Sequence, residues 1–311
     1  MTTGALRIGT RGSPLALVQT AMVEARLREA HPDLIIERVI IKTSGDWKPS
    51  DGETRLSEVD GGKGMFAHEI ERAMLAGEID CGVHSMKDMA SFLPEGLALD
   101  HVLERSDPRD AFICSDFSSL KDLPHGAVVG TCSLRRQAFL LQQRPDLKIE
   151  PIRGNVQTRL DKLNAGQYAA TLLAMAGLKR LGLAGDYIHA LSIDDMLPAC
   201  GQAIVAIETR SDDRKTRSIF DPIHHAETGF CAKIERAALQ VLDGSCHTPI
   251  GAHARMEGGK MRFDLIVSSG DGTRVYKDSD IAIITNDKEA EDFGRKIAQR
   301  LKPSVPADIF S

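Results

Sequence analysis

The 311-residue chain carries 39 Lys and Arg against 44 Asp and Glu, a net charge of −5 at pH 7. With 42% hydrophobic and 27% charged residues it is too apolar to be a disordered chain, and its acidic balance argues against a generally basic nucleic-acid binder. At roughly 150 residues per domain, the length points to about two domains.

Short apolar runs alternate with helical patterns over the first two thirds of the chain. Leu6 to Gly9 reads as a strand and Pro14 to Ala30 as a helix, with Leu15, Val18, Met22 and Ala25 on one face. Ile35 to Lys42 is a second strand, Gly45 to Gly64 a Gly-rich polar loop, Phe66 to Ala76 a helix and Ile79 to His84 a short strand. The rhythm then repeats: strand Ala127 to Thr131, helix Leu134 to Gln143, strand Ile149 to Ile152, helix Val156 to Ala165, strand Ala169 to Met175, and later strand Ala203 to Thr209. This predicts α/β units on mainly parallel sheets. The charged stretch Arg210 to Asp221 is expected to be a linker. Beyond it, a helix from Glu227 to Leu242, three strands near 250–256, 261–269 and 274–281, a hairpin turn at Gly270-Asp271-Gly272 and a helix from Lys288 to Leu301 predict a small separate α+β domain.

No apolar run approaches the roughly 18 residues needed to cross a bilayer. Arg7 and Arg11 interrupt any N-terminal signal core, so the expectation is a cytoplasmic protein without a membrane partner. The cysteines Cys81, Cys114, Cys132, Cys200, Cys231 and Cys246 are scattered with no C-x-x-C pair, which predicts free thiols. His224-His225 with Cys231 fits no usual metal-ligand spacing, so no metal is expected.

The positive charge is gathered locally. Ser13, Ser133 and Asn155 are each placed as an N-cap directly after a strand, and Arg11, Arg135, Arg136 and Arg153 lie within three residues of those caps. Arg159, one turn after Asn155, can return to the same face. Between Thr131 and Lys162 there are seven basic residues against three acidic ones. Helix starts and guanidinium forks both suit small anions, carboxylates at least as well as phosphates. The alternative is that these arginines simply lie on solvated helix faces. Lys87 and Asp88 come just after a strand end, where α/β proteins place ligands. On an extended chain the two would point to opposite sides. Asp88 could accept from ligand N–H groups, stabilise a cation or move a proton. Gly61-Gly62-Lys63-Gly64 lacks the spacing of a phosphate loop. Cys246, on the polar loop Asp243 to Pro249 beside His247, is an accessible thiol or an incidental surface one.

Together these segments resemble the porphobilinogen deaminase (hydroxymethylbilane synthase) family nearly end to end. The motifs, in order, are Thr10-Arg11-Gly12-Ser13-Pro14, Gly61-Gly62-Lys63-Gly64-Met65-Phe66, Val83-His84-Ser85-Met86-Lys87-Asp88, Asp107-Pro108-Arg109-Asp110, Ser133-Leu134-Arg135-Arg136, Arg153-Gly154-Asn155, Ala176-Gly177-Leu178-Lys179-Arg180, Leu197-Pro198-Ala199-Cys200-Gly201-Gln202 and Cys246-His247-Thr248-Pro249. The resemblance implies an enzyme that joins four porphobilinogen molecules head to tail, with loss of ammonia, on a dipyrromethane cofactor held by a thioether to Cys246. It implies that Asp88 is catalytic. Lys87, Ser133, Arg135 and Arg136 would bind the cofactor together with Asp88. Arg11, Ser13, Gln19, Phe66, Arg153, Arg159 and Arg180 would bind substrate, and the loop around Lys63 would cover the cleft. It implies two α/β domains like those of periplasmic solute-binding proteins, at 1–103 with 203–221 and at 104–202, and a third domain at 222–311. It also implies a monomer. Asp60, Ala203 and Ser245 depart from the family pattern, Ala203 standing where a glycine is usual. A non-catalytic carboxylate-binding module of the solute-binding type is the rival reading; it would need neither Asp88 nor Cys246.

Overall fold

A computed structural model describes residues 4–43, 52–53, 66–242 and 248–310. In chain order the elements are β1 (Leu6–Thr10), α1 (Pro14–Ala30), β2 (Ile36–Ile40), α2 (His68–Leu75), β3 (Cys81–Ser85), β4 (Leu97–Val102), β5 (Asp110–Ile113), β6 (Val128–Gly130), α3 (Leu134–Gln143), β7 (Lys148–Glu150), α4 (Val156–Asn164), β8 (Ala170–Ala174), α5 (Met175–Arg180), β9 (Ile188–Ala190), β10 (Val205–Arg210), α6 (Arg214–Phe220), α7 (Ala226–Val241), β11 (Ile250–Glu257), β12 (Lys260–Ser268), β13 (Val275–Ala282) and α8 (Asp287–Leu301).

The strands form two five-stranded sheets, ordered β2-β1-β3-β10-β4 and β7-β6-β8-β5-β9, and a third sheet β11-β12-β13. The two larger sheets share one plan. Each has a parallel run of three strands, then one antiparallel strand, then an edge strand. The expected two α/β units plus a smaller α+β unit are therefore present, but the larger sheets are mixed rather than mainly parallel. The antiparallel members are the crossovers: β5 enters the second sheet after β4, and β10 returns to the first between β3 and β4. Such strands obey no neighbouring βαβ rhythm, which is why alternation alone does not reveal their direction.

The expected linker at Arg210 to Asp221 is instead the end of β10 and then α6. Asp213 caps that helix through Thr216, and Phe220 at its end is fully buried in the core of the first sheet. One apolar anchor and a cap outweigh the surrounding charge. The short elements β4, β5, α5 and β9 are not expected from the sequence pattern.

The buried face of α1 is Ala16, Gln19, Thr20, Val23 and Leu27, one step round from the predicted stripe. Thr20 Oγ1 donates to Thr10 Oγ1 at 2.7 Å, and Gln19 Nε2 donates to Ser85 Oγ at 2.8 Å. Satisfied polar side chains can thus face the sheet, while Leu15 turns toward α5 and the cleft. In the third unit, α7 and α8 pack on β11–β13 around Ile234, Phe263, Val267 and Ile297. The Gly270-Asp271-Gly272 turn joins β12 to β13, with Ser269 N donating to Arg274 O at 2.9 Å. No helix among the described residues is long and apolar enough to cross a membrane.

Candidate functional site

A cleft of about 840 Å³ lies between the first two sheets. Its walls are built from the turns and helix starts at the ends of the parallel strands. After β1, Ser13 caps α1 through Ala16 N at 3.4 Å with Pro14 in the first turn. After β6, Ser133 caps α3 through Arg136 N at 3.4 Å, and after β7, Asn155 caps α4 through Thr158 N at 2.9 Å. All three expected caps form.

Of the residues singled out from sequence, Arg11, Ser13, Gln19, Phe66, Lys87 and Asp88 line the cleft from the side of the first sheet. Arg136, Arg153, Arg159 and Arg180 line it from the second. Ser133 and Arg135 are not on its wall. Cys246, Lys63, Asp60 and Ser245 lie outside the described residues.

Lys87 and Asp88 sit on a 3-10 turn, Met86–Asp88, closed by Met89 N donating to Met86 O at 3.1 Å. That turn corrects the extended-chain expectation: both side chains face the cleft. Burial, helped by the charges of Arg136 and Arg135, pushes the Lys87 amine down to about 8 against the opposing pull of Asp88 and Asp110. The Arg11 guanidinium carbon is 4.2 Å from the centroid of the Phe66 ring, a cation–π contact at the mouth of the cleft.

The arginines of the second sheet are held by the protein itself. Arg136 Nε and Nη2 donate to Asp110 Oδ1 at 2.9 and 2.7 Å, and its Nη1 donates to Leu172 O at 2.7 Å. Arg135 Nη1 lies 2.8 Å from Asp110 Oδ2 and also donates to Leu197 O. Asp110 is fully buried; despite that burial, the two guanidinium charges hold its carboxyl well below the usual range. Arg159 Nε donates to Gly154 O at 2.8 Å, closing the expected turn back onto the cap.

Arg180 Nη2 donates to Ala203 O at 2.6 Å, while its buried Nε has no hydrogen-bond partner among the described residues. Burial lowers this guanidinium to about 10. Glu53, from the segment between β2 and α2, reaches the start of α4: its carboxylate accepts from Arg153 N at 2.6 Å and pairs with Lys162.

Sequence reasoning missed Asp110 as the counter-ion of the arginine pair, although an acidic residue opening the apolar run Asp110-Ala111-Phe112-Ile113 is the signal that could have found it. It also missed Ser85, the partner of Gln19, and Cys132. Cys132 lines the cleft, with its thiol raised chiefly by burial. Cys81, Cys114, Cys200 and Cys231 are buried.

Residues 6–218 match the model of the "Porphobilinogen deaminase, dipyromethane cofactor binding domain", and residues 229–303 match the "Porphobilinogen deaminase, C-terminal domain". The porphobilinogen deaminase of Nitrobacter hamburgensis is 50% identical over 270 residues, covering 87% of this chain and 85% of its own. That of Chloroherpeton thalassium is 46% identical over 307 residues, covering 98% and 96%. Among solved structures, the second substrate binding domain of a putative amino acid ABC transporter from Streptococcus pneumoniae Canada MDR_19A is similar at a TM-score of 0.45 and 13% identity, over 71% of this chain and 92% of that one. With both family domains matched in order along one chain, and relatives at this identity over most of its length, the protein belongs to the porphobilinogen deaminase family of transferases, whose larger domain binds a dipyrromethane cofactor.

Proposed function

We propose that this chain condenses four porphobilinogen molecules head to tail, releasing four ammonia molecules, to give linear hydroxymethylbilane. The carrying observation is the cleft itself, in which the Asp88 carboxylate shares one wall system with Lys87 and the guanidinium groups of Arg136, Arg153, Arg159 and Arg180. Each pyrrole ring carries an acetate and a propionate, and each charge-assisted bond to such a group contributes roughly 1.5–3 kcal/mol. The donor set suits a dipyrromethane as well. The cationic wall matches its four carboxylates, and the unpartnered Nε of Arg180 is a buried donor without an acceptor among the described residues. Lys87 and Arg136 would hold it in the cleft, and Cys246 would attach it. When bound, that group supplies the terminal pyrrole carbon to which the first substrate is joined.

The chain's own residues do the rest. Arginines at the start of α4 and the end of α5 fix the substrate side chains, which sets the reacting carbons at bonding distance. Loss of ammonia leaves a cation delocalised over the incoming ring, and the Asp88 carboxylate stabilises that charge through the ring N–H. Asp88 can also manage the proton that leaves the attacked carbon. Phe66, under Arg11, offers a flat apolar face to the ring. We place the protein in the cytoplasm as a monomer, with three domains near 1–103 with 203–221, 104–202 and 222–311.

Intact-protein mass spectrometry tests this reading. The expected result is a mass above the bare chain by two pyrrole units, absent in Cys246→Ser, with hydroxymethylbilane formed only by the loaded protein. A bare-chain mass in preparations that turn porphobilinogen over would overturn it. So would porphobilinogen binding without any product, which is the result expected of a non-catalytic carboxylate binder.

A further inference from the structure

Behind the wall that carries Asp88 lies a cluster of ionisable groups that the chemistry above does not use. Glu208 on β10 is fully buried, and neither of its carboxylate oxygens has a hydrogen-bond partner among the described residues. His84 on β3, 7% exposed, brings its Nε2 to 3.1 Å from Glu208 Oε2. Glu71 on α2, 4% exposed, completes the group. Its carboxyl is raised by burial first and by the Glu208 charge second.

The backbone is adjusted to this cluster in two places. A Cβ on Gly82 would lie 2.6 Å from His84 Nε2 and 2.7 Å from Ile70 Cγ2, so the imidazole crosses over a residue that must be glycine to reach Glu208. On the other edge of β10, the register against β4 shifts between Ile207 and Thr209, a bulge in β4 that sets Leu99 and Asp100 together opposite Glu208. Burying a charge costs several kcal/mol, and apolar residues of similar volume at such sites are often neutral or stabilising. Stability therefore gives no reason to keep the cluster.

Register gives one. In the observed pairing, Glu208 faces Gly82, Ala206 faces His84 and Val205 faces Ser85, and the ladder ends in Met86 N donating to Ile204 O at 3.0 Å. Ser85, Lys87 and Asp88 come directly after His84 along the chain. A slip of one residue would turn His84 onto the face of Cys81 and Val83, among the apolar residues under α1, and take Ser85 off Gln19. The flanking residues Cys81, Val83, Val205 and Ile207 are all small to medium apolar groups, which tolerate such a slip far better.

We infer that His84 and Glu208, with Glu71, form a buried polar lock that fixes the register of β3 on β10 and thereby sets the turn bearing Lys87 and Asp88. They are positioning residues and touch no substrate. The activity part of this inference rests on the role proposed for Asp88; the register part does not.

The test is the double variant His84→Leu/Glu208→Met in the full-length, cofactor-loaded protein, beside the conservative Glu208→Gln. In the double variant the urea midpoint is expected to stay level or rise. Amide exchange of residues 81–89 should quicken at least tenfold. The kcat should fall about tenfold with KM within twofold, and Glu208→Gln should recover most of it. Unchanged exchange and unchanged kcat would overturn the lock. So would a kcat loss that merely tracks the unfolded fraction, as a purely structural role predicts. If the double variant does not fold, exchange in Glu208→Gln decides, expected to quicken a few-fold and overturning the inference if identical to the parent. Absence of turnover in the parent protein would sink the functional reading while leaving the exchange result to judge the lock.

Discussion

The middle strand of each sheet's parallel run, β1 or β6, leads into a serine-capped helix with arginine close to the cap, yet the arginines end in different states. In the first sheet, Arg11 extends over Phe66 at the cleft. In the second, Arg135 and Arg136 are drawn inward onto one buried carboxylate, Asp110, which lies on the crossover strand β5. The central strands differ too. β3 ends in the turn carrying Lys87 and Asp88, whereas β8 runs into α5 and presents Arg180. One plan used twice has thus divided the labour. The first sheet brings the acid and a cation that lies on an aromatic face; the second brings cations whose geometry is set by a buried carboxylate before any ligand arrives. Preorganised cations cost little to arrange at the moment of binding, and a single acid needs only one precise position.

The sharpest way to break this division is Asp88→Asn. Removing the one carboxylate of the Met86–Asp88 turn should lower turnover by about 10²–10⁴-fold, the range typical of a lost acid–base or charge-stabilising group, with the far-UV spectrum and urea midpoint unchanged. Turnover within tenfold of the parent would show that the first sheet does not supply the chemistry. The matching change in the second sheet is Asp110→Asn. It leaves two buried guanidinium groups without their counter-charge, so a loss of about 3–5 kcal/mol in unfolding free energy is expected from urea titration. In the first sheet, Arg11→Met removes a half-buried cation–π contact and should cost less, about 1–2 kcal/mol. Equal losses at the two sites would erase the contrast between cations pinned by a buried carboxylate and one that lies on an aromatic face.

Lys87 offers a smaller effect, read by pH. Its amine titrates at about 8 in the folded protein and at about 10.5 when exposed. As pH rises through 8 the cleft loses a cation that would hold the dipyrromethane, so the acceptor ring is fixed less firmly for the incoming substrate, and KM should rise about tenfold between pH 7 and pH 9. Folding stability moves the other way over that interval, because the unfolded chain still binds the proton that the folded one has released. In Lys87→Arg the KM limb should flatten to less than twofold. A limb that survives the substitution would assign the titration to another group.

Much of this is legible in the sequence, for identifiable reasons. The caps Ser13, Ser133 and Asn155 come directly after strands and act within four residues, so local chemistry decides them. The long helices α7 and α8 carry their own periodicity. The features that escape a sequence reading depend on distant partners. The antiparallel strands β5 and β10 are short apolar runs whose direction is set by where the chain has been. The shared wall of Lys87 and Asp88 depends on a 3-10 turn held by Ile204 at the end of the returning crossover. The pairing of Arg136 with Asp110 spans 26 residues, and nothing at Arg136 announces that its charge is already matched.

The two crossovers themselves yield the smallest test. The outgoing one contains Ser106, whose N–H donates to Ala203 O on the returning one, and the same carbonyl accepts from Arg180. Ala203 has φ of 73°, the one positive value at a non-glycine among the described residues. A left-handed conformation costs an L-residue roughly 1–2 kcal/mol, and only glycine adopts it freely. Ala203→Gly removes that strain. It also gives up the burial of one methyl group, worth about 0.8 kcal/mol, and loosens the unfolded chain by a similar amount. The sum predicts a change within about 0.5 kcal/mol of zero, in either direction, in urea titration. Ala238→Gly is the control: equally buried, but inside α7, it carries the same two costs and relieves no strain, so it should lose about 1 kcal/mol or more. Parallel losses at both positions would mean that the methyl of Ala203 packs well enough to outweigh its backbone. A difference of about 1 kcal/mol would show that the returning crossover holds its carbonyl on Arg180 at a conformational cost.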